Sequence, residues 1–218
     1  KTARIEKQRT GVLVLLLGSI RGSDRAWESL ERNLIVPNNA HLALSIGKTN
    51  NSWERRSRLF QLARFVWRLQ EKRDWGEYLD TFAGDRAWRH VLNSAQTWTS
   101  GLFGGVVDGR GNLYPGSAAI NHVFRWHAHE KMAKLGLYDR YDQLVVSRTD
   151  FMYACRLELW TLRVNPDRVY RNAVWVPKFD DDGGLYDRWS LYSGRAMRSA
   201  LTLIESAVKQ PLSNVALF

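Results

Sequence analysis

The stretch Tyr141-Asp142-Gln143-Leu144-Val145-Val146-Ser147-Arg148-Thr149-Asp150 is a short apolar run that stops at an acidic residue. Its length and composition suit a buried strand. In a chain that otherwise alternates strands and helices, such a strand carries its last residues to the carboxyl edge of the sheet, where open α/β sheets bind ligands. Asp150 is therefore the first candidate to hold a ligand or a metal ion.

Working upstream, Ser117 to about Leu135 reads as a helix, with Ile120, Phe124, Ala128, Met132 and Leu135 on one face and Gly136 as its stop. The chain opens with a buried strand from Gly11 to Leu17, the turn Gly18-Ser19-Ile20-Arg21-Gly22-Ser23, and a helix capped by Ser23 or Asp24 with Trp27, Leu30 and Leu34 at helical spacing. Pro37-Asn38-Asn39 breaks that helix, and His41 to Ile46 forms a second strand ending at Gly47-Lys48-Thr49. Asn51 and Glu54 resemble a capping box, and Leu59, Leu62, Val66 and Leu69 make the stripe of a long helix toward Asp74. From Trp75 to Pro115 the pattern weakens, and glycines between Gly101 and Gly116 leave two readings, a mobile active-site loop or a surface excursion.

Downstream of Asp150 come a strand near Leu157 to Val164, a turn at Asn165-Pro166-Asp167 and a short strand from Ala173 to Pro177. The acidic, glycine-rich segment Phe179 to Trp189 follows, and then a last helix carrying Met197, Leu201, Ile204 and Val208. Strands alternating with helices predict an α/β fold with a mainly parallel sheet flanked by helices.

With 218 residues, 44% of them hydrophobic, the chain can bury one sizeable core, and a single domain spanning 1–218 is the expectation. The sequence starts at Lys1 and ends at Phe218, which reads as a domain excised from a longer chain; its compartment, cytoplasmic or Golgi-lumenal, stays open. No apolar run reaches the roughly 20 residues that span a bilayer. The single cysteine, Cys155, excludes an internal disulfide. A net charge of +10 favours an anionic partner, and much of the excess lies in Lys1 to Arg9 and between Arg55 and Arg73, where a solvated helix face is the simpler reading. Ten tryptophans and eight tyrosines serve both as core filler and as stacking platforms for sugars or bases, and for any one Trp the core is the simpler reading.

Several motifs fail on spacing. Gly47-Lys48-Thr49 lacks the upstream glycine of a P-loop, because Leu42 stands in its place, and the glycines of Gly104 to Gly111 miss the dinucleotide pattern. His122, His127 and His129 include no i, i+4 pair and read as ordinary helix positions rather than a zinc site. Arg148-Thr149-Asp150 answers a chemical need instead. A diphosphate leaving group requires neutralisation, by a cation held on a carboxylate or by an arginine paired with phosphate oxygens. A strand-end salt bridge between Arg148 and Asp150 or Asp142 is the plain alternative. In the second acidic loop, Gly183-Gly184 permits close backbone approach and Asp187 is a candidate general base.

The first-strand Gly-Ser-Ile-Arg loop, the strand ending in Ser147-Arg148-Thr149-Asp150, and Gly183-Gly184-Leu185-Tyr186-Asp187-Arg188-Trp189 together resemble GT-A-type glycosyltransferases. The likeness is to those of large algal viruses and microalgae, in which arginine-x-aspartate replaces the usual aspartate-x-aspartate. This resemblance implies a GT-A-like (Rossmann-like) sheet and an inverting transferase moving a sugar from a nucleoside-diphosphate donor, UDP-linked, to a glycan hydroxyl. It implies donor binding by Gly18, Ser19, Arg21, Lys48, Arg148, Thr149 and Asp150, a divalent metal (Mn²⁺ or Mg²⁺) on Asp150, Asp187 as base, and Asp182, Gly183 and Gly184 on the acceptor side. Nucleic acid is not an expected partner on this reading. The competing readings are a basic, aromatic-rich binding module for nucleic acid or acidic glycan, and a nucleotidyltransferase.

Overall fold

A computed structural model describes residues 11–48, 54–93, 103–159, 172–178 and 188–209. Its centre is a six-stranded sheet in the order β3-β2-β1-β4-β6-β5. The strands are β1 (Val12–Gly18), β2 (His41–Gly47), β3 (Ala63–Leu69), β4 (Gln143–Arg148), β5 (Val174–Trp175) and β6 (Trp189–Ser193). β1 pairs in parallel with both β2 and β4, and β2 with β3, while β6 runs antiparallel to β4 and to β5. The architecture is α/β and mainly parallel.

β1 is buried at all seven positions because both faces of the sheet are covered. Leu13, Leu15 and Leu17 point into one core with Leu144 and Val146, whereas Val12, Val14 and Leu16 point into the other with Leu42, Leu44 and Val145. The period of two, with apolar residues at every step, is what a parallel strand between helical layers requires. The first core is roofed by α3 (Gly76–Ala83), α4 (Ala118–Lys134) and α5 (Ala196–Lys209). α4 contributes Val123, Phe124, Ala128 and Met132, and α5 contributes Met197, Leu201, Ile204 and Val208, each at helical spacing. The second core is covered by α1 (Asp24–Leu30), α2 (Arg58–Leu62) and the segment through Tyr153 and Leu159. Gly136 ends the turn after α4 with φ 63°, the left-handed conformation expected of a helix stop. Leu135, placed by its spacing on the apolar face, is instead exposed.

Three expectations are corrected. The long helix toward Asp74 is only α2, and Ala63 to Leu69 forms edge strand β3. Phe65, Trp67 and Leu69 alternate with Arg64, Val66 and Arg68 as cleanly as the helical spacing runs, and pairing with β2 decides between the two periods. The strand expected near Leu157 to Val164 is absent over Leu157 to Leu159, where the amide of Leu157 donates to the carbonyl of Asn33 behind α1, and its remainder and the turn at Asn165-Pro166-Asp167 lie outside the described residues. Trp189 to Ser193 forms β6, a strand that the sequence reading did not separate from the loop before it. The predicted strand at Ala173 to Pro177 is present in shorter form as β5. In the glycine-rich stretch before α4, Val107 and Leu113 form an isolated bridge, and Asp74 accepts from the Val107 amide; Gly101 lies outside the described residues.

Among the described residues, no helix is long and apolar enough to cross a membrane.

Candidate functional site

The strand order runs outward from β1 to β2 and β3 on one side and to β4 on the other, so the order in which the chain adds strands reverses between the parallel neighbours β1 and β4. The carboxyl ends of these two strands lie side by side, with Leu17 opposite Arg148. This is the position at which open parallel sheets take ligands. It brings together Gly18, Ser19, Arg21, Arg148, Thr149 and Asp150, and Lys48 stands exposed at the carboxyl end of the neighbouring β2.

Thr149 stitches the two loops. The Arg21 amide donates to Thr149 Oγ1 at 2.8 Å, the Thr149 hydroxyl donates to the Ser19 carbonyl at 3.0 Å, and the Trp27 indole N–H donates to the Thr149 carbonyl at 3.0 Å. Thr149 is buried, so its role is to fix the first-strand loop against the end of β4. Two glycines allow the approach. Gly18 leaves the strand with φ +90°, and Gly22, with φ +105°, packs so closely that a Cβ would fall 2.9 Å from the Thr149 carbonyl oxygen and 3.0 Å from the Asp150 Cα. Gly22 was absent from the sequence-derived site. Its signal was available: it is the second of two glycines bracketing Ser-Ile-Arg.

Arg148 and Asp150 form a bidentate pair at the mouth of this arrangement. Arg148 Nε donates to Asp150 Oδ1 at 3.0 Å and Nη2 to Oδ2 at 2.8 Å, with the side chains 45% and 31% exposed. Burial acts to raise the Asp150 pKa, but the hydrogen bonds and charge of Arg148, aided by the charge of Arg21, outweigh it and hold the carboxyl below its ordinary range. Two guanidinium groups thus act on one carboxylate. At the end of β2 the carboxylate of Glu71 lies against Gly47, an acidic neighbour to Lys48 that the sequence did not point to.

A divalent metal is poorly matched to these residues. Both oxygens of Asp150 accept from Arg148, so a cation would compete with a guanidinium for the same lone pairs. Among the described residues, no group of three His, Cys, Asp or Glu side chains is placed to hold a metal ion. Asp182, Gly183, Gly184 and Asp187 lie outside the described residues. β6 begins just after that segment, where Trp189 pairs with Ser147 beside the carboxyl end of β4.

No protein-family model matches the chain, and no curated protein matches its sequence.

The remaining polar clusters serve the fold. His127 is buried with its Nδ1 3.2 Å from Ser45 Oγ, and burial, followed by the charge of Lys131, lowers its pKa to about 4. At the amino end of the sheet, His41 lies between Arg64 and Tyr141, 2.7 Å from each; burial and then the charges of Arg64 and Arg140 lower its pKa. In the basic segment, Arg58 pairs with Glu31, Arg68 with Glu54 and Lys72 with Glu77. These pairs weigh against a dedicated stripe for a polyanion.

Proposed function

We propose that the chain is a glycosyltransferase of GT-A type that moves a sugar from a nucleoside-diphosphate donor, UDP-linked, to a hydroxyl of a glycan. The observation that carries this reading is the exposed Arg148–Asp150 pair at the reversal point of the sheet, beside a first-strand loop pinned by Thr149. Two guanidinium groups next to that loop suit a diphosphate, whose oxygens accept charge-assisted hydrogen bonds.

In the proposed reaction the acceptor hydroxyl oxygen bonds to the anomeric carbon while the carbon–oxygen bond to the diphosphate breaks. The nucleoside diphosphate leaves with the bonding electron pair, and the hydroxyl proton passes to a carboxylate base. A single displacement of this kind inverts the anomeric centre. Arg21 and Arg148 would offset the charge that grows on the departing diphosphate, with Lys48 adding to the field from the adjacent strand. Asp187 is the proposed base, two residues before Trp189 in the chain.

Calorimetric titration of UDP, GDP and their sugar conjugates, with and without Mn²⁺, on the wild type and on Asp150→Ala tests this reading. Binding of a UDP-sugar that weakens in Asp150→Ala is expected, and the two metal conditions measure any contribution of a cation. Failure of every nucleotide to bind at millimolar concentration would sink the proposal. For the base, Asp187→Asn should abolish transfer with donor affinity nearly intact, and an active variant would remove Asp187 from the mechanism.

A further inference from the structure

The oxygens that join the first-strand loop to the end of β4 are engaged in that task. Thr149 Oγ1 accepts from the Arg21 amide while its hydroxyl donates to the Ser19 carbonyl, and the Thr149 carbonyl accepts from the Trp27 indole. Alongside, the Ser147 hydroxyl donates to the Arg188 carbonyl at 3.4 Å. Asp150 is left as the anchor for any cation here. A divalent ion at a phosphate site is held by one or two carboxylates together with phosphate oxygens and water. On Asp150 it would have to break a bidentate, charge-assisted pair with Arg148 and then stand against that guanidinium, with the charge of Arg21 acting on the same carboxylate.

The guanidinium groups already supply what such an ion would bring. Arg21, Arg148 and Asp150 sum to one net positive charge, which is also what a divalent cation on a single carboxylate presents. Arg148 meets Asp150 side-on through Nε and Nη2, so the outer edge of its guanidinium, formed by Nη1 and Nη2, faces away from the carboxylate. With 45% of the side chain exposed, that edge is open to water, and its planar fork matches two phosphate oxygens. The carboxylate fixes the guanidinium before a ligand arrives, which lowers the cost of ordering it on binding.

We infer that the donor diphosphate binds without a metal ion, on a guanidinium platform in which Asp150 orients Arg148, and Arg148 both pairs with the phosphate and keeps divalent cations off Asp150. The identity of the diphosphate rests on the transferase reading; the exclusion of the cation does not. Asp150 becomes a positioning residue, reversing the role of metal ligand expected from the sequence. As the carbon–oxygen bond breaks, the departing diphosphate keeps the bonding electron pair and takes no proton from Arg148, because a guanidinium stays charged; its hydrogen bonds strengthen as charge grows on the phosphate.

The test has two arms, run on proteins first checked for an unchanged melting curve. In the first, UDP is titrated calorimetrically into the wild type, Arg148→Ala and Arg148→Lys, in EDTA and in Mn²⁺. Wild-type affinity should agree within about twofold between the two conditions, and in EDTA it should fall about thirtyfold in Arg148→Ala and less in Arg148→Lys, which keeps the charge and loses the fork. A wild-type affinity that Mn²⁺ raises tenfold or more overturns the inference and leaves the transferase reading standing, and so does unchanged affinity in Arg148→Ala. In the second arm, electron paramagnetic resonance follows Mn²⁺ alone with the wild type and Arg148→Asp. Mn²⁺ should stay free beside the wild type and bind the variant, in which two carboxylates flank Thr149 and no guanidinium competes. Mn²⁺ bound by the wild type, or by neither protein, overturns the exclusion. If no nucleotide binds in any condition the transferase reading falls, and the second arm still decides whether Arg148 keeps a cation off Asp150.

Discussion

Two arginine–aspartate constellations in this molecule differ in what they join and in what surrounds them. Arg89 donates from Nε and Nη2 to Asp80, from Nη2 to Asp74 and from Nη1 to the Val107 carbonyl, all at 2.8–2.9 Å, and its guanidinium lies 5.3 Å from the Trp88 ring. Its partners come from three parts of the chain, so the cluster ties α3 to the excursion before α4. Arg148 pairs with a carboxylate two residues away, which joins nothing distant. Exposure separates them further: Arg89, Asp74 and Asp80 are 20%, 20% and 13% exposed, against 45% and 31% for Arg148 and Asp150. A charge pair that organises remote segments belongs to the fold, whereas an exposed local pair at the end of central strands is available for chemistry.

The largest effect should come from the first constellation. Arg89→Ala removes the guanidinium shared by two mostly buried carboxylates, which keep Trp88, Arg86 and backbone amides as partners, and should cost about 2–3 kcal/mol in stability. Urea denaturation checks this, and nucleotide affinity measured on the remaining folded protein should be unchanged. A loss below about 1 kcal/mol would place Arg89 with the weak surface pairs and erase the contrast.

Between the extremes lies the loop that carries Arg21 to the second constellation. Gly22→Ala meets both a positive φ and a backbone clash with Thr149 and Asp150, so it should destabilise by about 1–3 kcal/mol and weaken UDP binding together. Gly18→Ala meets the positive φ with nothing within 4 Å and should cost about 1 kcal/mol. Equal losses at the two glycines would show that packing against Asp150 plays no part.

The same contrast explains what could be read in advance. β1, β4, α4 and α5 were legible because each is a continuous apolar element whose period matches its burial, from Leu13 to Leu17 and from Met197 to Val208. β3 was read as helix because Leu59, Leu62, Val66 and Leu69 satisfy the longer period, and only the neighbouring β2 selects the shorter. β6 hides behind an acidic loop, and its one apolar–polar alternation, Trp189-Ser190-Leu191, is too short to stand alone. In the candidate site, Arg148 and Asp150 were visible as a motif. Thr149 as the staple was not, because hydrogen bonds spanning 122 to 130 residues leave no local mark. An open aromatic groove lined by Phe151, Tyr153, Trp175 and Trp189 was invisible for the same reason: its walls come from segments that meet only in the folded sheet.

The smallest effect on stability should come from Asp150 itself, and that smallness is informative. Its pKa is held below the ordinary aspartate value of 3.8, so the folded state binds its proton less readily than the unfolded chain. The resulting stabilisation is present above pH 3.8 and is lost as pH falls through the lower folded-state value. With Arg148 nearly half exposed, water screens the pair, and Asp150→Asn should change stability at pH 7 by less than about 0.5 kcal/mol, with the gap closing in strong acid. UDP affinity should nevertheless fall, because a neutral amide cannot hold the guanidinium by a charge-assisted bidentate contact. Denaturant midpoints at pH 7 and pH 3, set beside calorimetric UDP titration, measure both quantities on one variant. A loss of stability as large as that of Arg89→Ala would make Asp150 a structural anchor, and the two constellations would then differ in exposure alone.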